Sequence, residues 1–401
     1  MCKVFFLLLG IALSSHRDGQ SQTSFAWNKT APLVQPDAAP FSLSWEPYID
    51  WGQQIFPSFL ISIATADPQQ FKLAEDYLGD PKSVIGLFVK STQANTKLTI
   101  QIEATHYSAA FSETFALPKA QLQYAIFPKI AWHYDLLRQH KESIPLNFNY
   151  TILLDGKPIG KKTITATLRS LNDCPLAAVD YQGRQVDLRK MFAAYVNEDH
   201  PKINSLLASA LQKKTVNGFN GYQGKREEAV AQVYAIWRLF RDKGMKYSDI
   251  ATGAHDEHKQ VVSQRVRTFD EAIATAQANC IDGTVVFASL MRSIGLQPLI
   301  ILVPGHAMLG FYVDGKQEDI LVLETTLIGE TSAVKEPSKQ EFATHINSIA
   351  ARTQSQLSAA LFLKALDAGH ARFMQAWKKD QKSVLIIDVA QCRSLYKPIG
   401  R

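Results

Sequence analysis

Cysteine is scarce in this chain, with four residues in 401: Cys2, Cys174, Cys280 and Cys392. No CxxC pair and no HExxH helix occurs, so no ligand set for a zinc centre presents itself, and no metal or organic cofactor is expected. A glycine-rich phosphate loop is also missing, which removes the nucleotide-cradling classes. No apolar run is long enough to span a bilayer, the one at the N-terminus included. Basic residues number 43 against 37 acidic ones, a net charge of +6. No basic stretch is dense enough to suggest nucleic acid, and the small surplus suits an ordinary surface or contact with an anionic envelope. Internal repeats and low-complexity tracts are not evident.

What is present bounds the organisation. The length accommodates two domains, and 46% apolar residues with 20% charged ones is ordinary for globular protein. The first residues read as a signal peptide: Lys3 is the positive end, Val4–Leu13 the apolar stretch, and Ala12, Ser14 and Ser15 are small residues for cleavage. Residues 1–22 are therefore taken as signal peptide and leader. The mature chain is expected outside the cytoplasm, periplasmic or extracellular, with no transmembrane segment. Cys2 precedes the apolar run, which is not the lipoprotein attachment order.

From 38 to 173 the pattern is that of short strands. Phe59–Ile63, Val84–Val89, Leu98–Ile102, Phe148–Ile152 and Thr163–Leu168 are alternating or β-branched runs, and Asp155-Gly156 is a turn signal. Such spacing predicts a β-sandwich, immunoglobulin-like in type, serving as a spacer or binding module. His106, His133 and His140 are scattered and read as packed or solvated. Cys174-Pro175 to about Gln185 reads as the linker. Helical periodicity then takes over from 186 to 395. Asn197–Lys213 places Leu206, Leu207 and Leu211 on one face. Arg226–Lys243 carries Val230, Val233, Tyr234, Trp237 and Phe240 at helical spacing before Gly244. Thr268–Ala278 is a short helix with Thr268 or Asp270 as cap. Residues 338–378 form one or two helices, and Ser383–Val389 is a strand able to join a sheet. The fold class is α+β.

The informative residue is Cys280. It opens a helix in the segment 279–295 that stops at Gly295. An apolar strand, Leu299–Val303, leads into Pro304-Gly305-His306, and Ile320–Leu323 leads into Glu324. A cysteine at a helix start, a histidine on one strand and an acid after the next is the order of a thiol nucleophile with its base and orienting carboxylate. Helix N-terminus and imidazolium both favour thiolate. The imidazole carries the proton, and the carboxylate holds its tautomer. Backbone N–H groups at the helix start suit an oxyanion, and Gln277 or Asn279 is a side-chain candidate for the same task.

These segments resemble a bacterial transglutaminase-like domain. The likeness is carried by Gln264–Arg267, Asn279–Asp282 with Phe287–Leu290, Val303–Ala307 and Leu323–Thr326. It spans roughly 225–330, with a looser match from Ile387 to Pro398. It implies a papain-like α+β core in which Cys280 is nucleophile, His306 base and Glu324 the acid. The chain departs from the family pattern in having Glu where Asp is usual, and no aromatic at 307–309. The implied activity is acyl transfer, or hydrolysis of an amide or peptide, through a cysteine thioester. A protein or peptide is the implied substrate, with a cell-envelope component as one such partner. The alternative is a non-catalytic envelope-binding or scaffolding protein that retains the fold.

Four further residues are candidates for the cleft. Asp282, in the first helical turn, is read as structural, because its charge opposes a thiolate. Arg265 and Arg267 are read as ion-pair residues, with binding of a substrate carboxylate as the other role. Tyr247 is a wall residue. His255-Asp-Glu-His258 reads as a solvated loop. For the cysteines of the mature chain two states stay open: a Cys174–Cys392 disulfide clamping the two domains with Cys280 free, or three free thiols.

Overall fold

Leu98, Ile100 and Ile102 are buried, while Lys97 and Gln101, on the alternate positions, are exposed, so this strand has one face in a core and one in water. The same alternation builds most of the first half of the computed structural model. The model describes residues 25–26, 43–72, 75–179, 185–249, 260–332, 334 and 336–400. The leader and the His255–His258 segment lie outside these residues.

The elements of the first half are β1 (Leu43–Ile49), β2 (Gln54–Ile55), α1 (Pro57–Ile63), β3 (Tyr77–Gly79), β4 (Ile85–Ser91), β5 (Thr96–Ile102), β6 (Phe111–Leu117), β7 (Gln123–Phe127), β8 (Ile144–Leu154) and β9 (Lys157–Leu168). Two sheets result, a five-stranded one in the order β2-β9-β8-β5-β6 and a four-stranded one in the order β1-β4-β7-β3. Pairing is antiparallel except for β2 against β9 and β3 against β7. Tyr150 of β8 donates across to the carbonyl of Gly86 in β4 at 3.1 Å, tying one sheet to the other. The β8–β9 hairpin turns at Asp155-Gly156, both with positive φ (45° and 81°), as a two-residue hairpin loop demands.

Three expectations are corrected. Phe59–Ile63 is not a strand: Pro57–Ile63 is a helix whose seven residues are all buried. A short run buried on every side has no period to read, and Pro57 at the first helical position starts the helix. The segment after Cys174 is not a linker either. It belongs to β10 (Asp173–Val179), which pairs with β11 (Gln185–Asp187) on one side and with a strand of the second half on the other. Cys174 is fully buried there. Leu211 lies off the buried face, 36% exposed, on α2 (Ile203–Gln212), where Leu206 is buried.

The second half continues with α3 (Arg226–Asp242), β12 (Lys246–Tyr247), β13 (Val261–Arg265), α4 (Phe269–Thr275), β14 (Gln277–Ala278), α5 (Cys280–Ser293), β15 (Pro298–Val303), β16 (His306–Tyr312), β17 (Ile320–Leu323), α6 (Ala343–Thr353), α7 (Gln356–Lys379) and β18 (Leu385–Asp388). Its main sheet has the antiparallel order β17-β16-β15-β18. Val230, Val233, Tyr234, Trp237 and Phe240 of α3 are all buried, and Trp237 and Phe240 pack on Phe287 of α5. The helix bearing Cys280 is therefore held by core on one side and by β15 and β16 on the other.

The two halves share a joint. β13 pairs with β10, Ser58 Oγ donates to the Asp173 carbonyl at 2.7 Å, and Lys397 N donates to the Ser62 carbonyl at 2.9 Å. The apolar core runs continuously across this joint. Among the described residues no helix is long and apolar enough to cross a membrane.

Candidate functional site

The start of α5 is set by a reciprocal cap. Asn279 Oδ1 accepts from Asp282 N at 2.9 Å, and Asp282 Oδ2 accepts from Asn279 N at 3.0 Å. This places Cys280 at the first helical position, half-buried, with the helix's positive end beside it. β14, immediately before the cap, pairs in parallel with β12, so Tyr247 stands opposite Ala278.

His306 begins β16 after a two-residue turn from Val303, with Gly305 at φ +72°, the left-handed conformation that a second turn residue of this kind takes. β17 pairs with β16, Leu323 opposite Leu309, and Glu324 follows at the strand end. Its Oε2 lies 2.8 Å from His306 Nε2. Its Oε1 accepts from Thr326 Oγ1 at 2.6 Å and from Thr326 N at 3.2 Å. The carboxylate is thus oriented from both oxygens and is 3% exposed.

With Nε2 committed to Glu324, the other ring nitrogen of His306 is the one left to face Cys280, whose sulfur is among the groups that act on the ring's pKa. Burial by itself would lower the pKa of His306. The interactions with Cys280 and Glu324 more than reverse this and raise it to about 9. Glu324 moves the opposite way. Burial would raise its pKa, but the His306 and Thr326 hydrogen bonds hold it below the usual carboxylate range. The arrangement can keep an imidazolium between a sulfur and a carboxylate at neutral pH. That is the disposition an acyl transfer through sulfur requires.

The other predicted residues separate into two groups. Tyr247 is at the site: its hydroxyl pKa is raised by burial and by the charges of Asp249, Cys280 and Glu324. The residue is 46% exposed. Gln277 is half-buried three residues before Cys280. Asn279 is buried, and its Oδ1 is taken by the cap, so its first task is to start the helix. Asp282 is 0% exposed and lies behind the cysteine. It accepts from Arg267 N at 2.8 Å and pairs with Arg267 Nη1 at 2.5 Å. Burial raises its carboxyl pKa, against the pull of the Asn279 and Arg267 donors. Arg267 is thereby an ion-pair residue beneath the helix start. Arg265 lies away from it in β13, opposite Asp173 of β10, at the joint between the halves.

Cys174 and Cys392 are free thiols and both are buried, so the Cys174–Cys392 disulfide is not formed in this structure. Each thiol is enclosed instead, and burial raises the pKa of both, Cys392 to about 11.

Two site residues were not legible in the sequence. Thr326 follows Glu324 by two residues, the spacing at which an acidic side chain bonds back to nearby backbone, and that spacing was the available signal. Arg372 of α7 has its Nη1 3.6 Å from Glu324 Oε2, and no local pattern marks it. Its position depends on Gly369: a Cβ there would lie 2.4 Å from the Val322 carbonyl oxygen, so only glycine lets α7 lie this close to β17.

A cleft of about 470 Å³ opens elsewhere, at the joint, between Arg138, Lys141, His200 and Phe269. Among its walls Lys141 pairs with Glu271 and His200 Nε2 is bonded to Asp270, each at 3.0 Å. Cys280, His306 and Glu324 are not among its walls. No protein-family model matches the chain, and a search of curated proteins finds no match.

Proposed function

We propose that this protein is an exported cysteine enzyme with a transglutaminase-like domain, transferring an acyl group from an amide or peptide to water or to an amine. The Cys280 sulfur attacks the carbonyl carbon, with backbone N–H groups at the start of α5 facing the oxyanion. The carbon–nitrogen bond then breaks, and His306 gives its proton to the departing amine, leaving a thioester. In the second step water or an amine attacks the thioester. His306 takes the incoming proton and the Cys280 sulfur leaves. Glu324 holds the imidazole in one orientation through both steps. Water as acceptor makes the protein a peptidase or amidase; an amine makes it a transglutaminase.

The observation that supports this reading is His306, bonded to Glu324 at 2.8 Å and raised in pKa by Cys280, which opens a helix. The test is intact-mass labelling of the folded protein by iodoacetamide at pH 7, with peptide mapping. Rapid labelling of Cys280 that slows about tenfold or more in His306→Ala is the expected result. Equal, slow labelling of both proteins sinks the enzyme reading and favours a binding module that retains the fold.

A further inference from the structure

We propose that Arg372 and Tyr247 form an anion-binding rim beside Cys280, so that the preferred acyl donors carry a carboxylate close to the attacked carbonyl. The proposal rests on the reading of Cys280 as the nucleophile and adds a substrate class to it. Three observations carry it.

First, Arg372 is poorly explained as a support for Glu324. At 3.6 Å its Nη1 is beyond hydrogen-bond distance. Glu324 already accepts from His306 through Oε2 and twice from Thr326 through Oε1. Among the described residues the pair with Glu324 is the one ion pair of Arg372, and the side chain is 49% exposed. Half of the side chain is therefore open to solvent.

Second, Tyr247 pairs opposite Ala278, two residues before Cys280, and is 46% exposed. A phenol O–H and a guanidinium at one rim provide the donors that a carboxylate takes in bidentate fashion, with a third donor beside them.

Third, the placement is built into the packing. Gly369 brings α7 against β17, and Arg372, three residues on, is on the same helical face. A half-exposed cation is thereby fixed on a rigid element next to Glu324, at the edge of the site. A flexible surface lysine would have no such register.

The experiment compares two thiol probes that differ only in charge, N-iodoacetyl-glutamate amide and its neutral isostere N-iodoacetyl-glutamine amide. The rate of Cys280 labelling is measured for each on the native protein, Arg372→Gln, Arg372→Lys and His306→Ala. The expected result is that the native protein prefers the anionic probe by about tenfold, as one charge-assisted contact gives. That preference disappears in Arg372→Gln and survives in part in Arg372→Lys. A ratio near one in the native protein, or an unchanged ratio in Arg372→Gln, overturns the rim while leaving the nucleophile reading intact. A fall of both probes together in Arg372→Gln also overturns it, because it makes Arg372 a positioning residue for Glu324. Slow labelling by both probes, equal in the native protein and His306→Ala, overturns the nucleophile reading and the rim with it.

Discussion

Arg267 Nη1 lies 2.5 Å from Oδ2 of Asp282, a carboxylate with no exposed surface, two residues beyond Cys280. The pair joins the start of β-to-helix segment 266–270 to the start of α5. Removing the cation leaves a buried carboxylate with backbone donors but no counter-ion, and breaking a buried ion pair costs up to about 3–5 kcal/mol. Arg267→Met is therefore expected to lower the thermal midpoint of the second half by several degrees, read by calorimetry. Asp282→Asn, which retains the shape of the cap, is expected to cost less. Equal stability in Arg267→Met and the native protein would show that the pair holds nothing.

The pKa of His306 is about 9 in the folded protein against an ordinary value of 6.5. A pKa raised by folding contributes stability that is full below about 6.5 and is lost as pH rises through about 9. In the proposed mechanism the imidazolium that protonates the leaving amine is lost over the same interval. Turnover of an amide is expected to fall as pH rises through 9, and Glu324→Gln is expected to move that limb down by about one unit or more. An NMR titration of the His306 ring checks both; an unchanged value in Glu324→Gln counts against the contact.

Gly369 meets the Val322 carbonyl where a Cβ would be 2.4 Å away. Gly369→Ala forces α7 off β17, at a cost of roughly 1–3 kcal/mol for overpacking. Because Glu324 N donates to the Ala365 carbonyl of the same helix at 3.0 Å, the shift also displaces the acid. Loss of stability together with slower labelling of Cys280 is expected. A stable variant with native labelling would mean that the helix can relax without moving Glu324.

Cys174 and Cys392 are enclosed, with burial holding both thiols in the neutral form. Alkylation of the native protein is expected to map to Cys280 and to reach Cys174 and Cys392 only after denaturation. Adducts at either buried cysteine in the folded protein would contradict their enclosure.

The order of the candidate site was legible because its signals are local. Asn279 and Asp282 cap the helix from three residues apart, Pro304-Gly305 turns the chain within one hairpin, and Glu324 ends a four-residue strand. The α+β class was likewise readable from the change in period after the first half. By contrast, Phe59 sits in a helix that reads as a strand, because burial on every side erases the period. The stretch after Cys174 reads as a linker, yet it is a strand, since its partner β13 lies ninety residues on.

The sequence alone determined the helix start at Cys280, the turn before His306 and the residue types that could pass a proton between them. Only the tertiary structure decided that Glu324 meets His306, that Asp282 lies buried under Arg267, and that Arg372 overlooks the site. Those relationships depend on how closely α5, β17 and α7 pack, and packing distance between remote segments leaves no pattern in a short window of sequence.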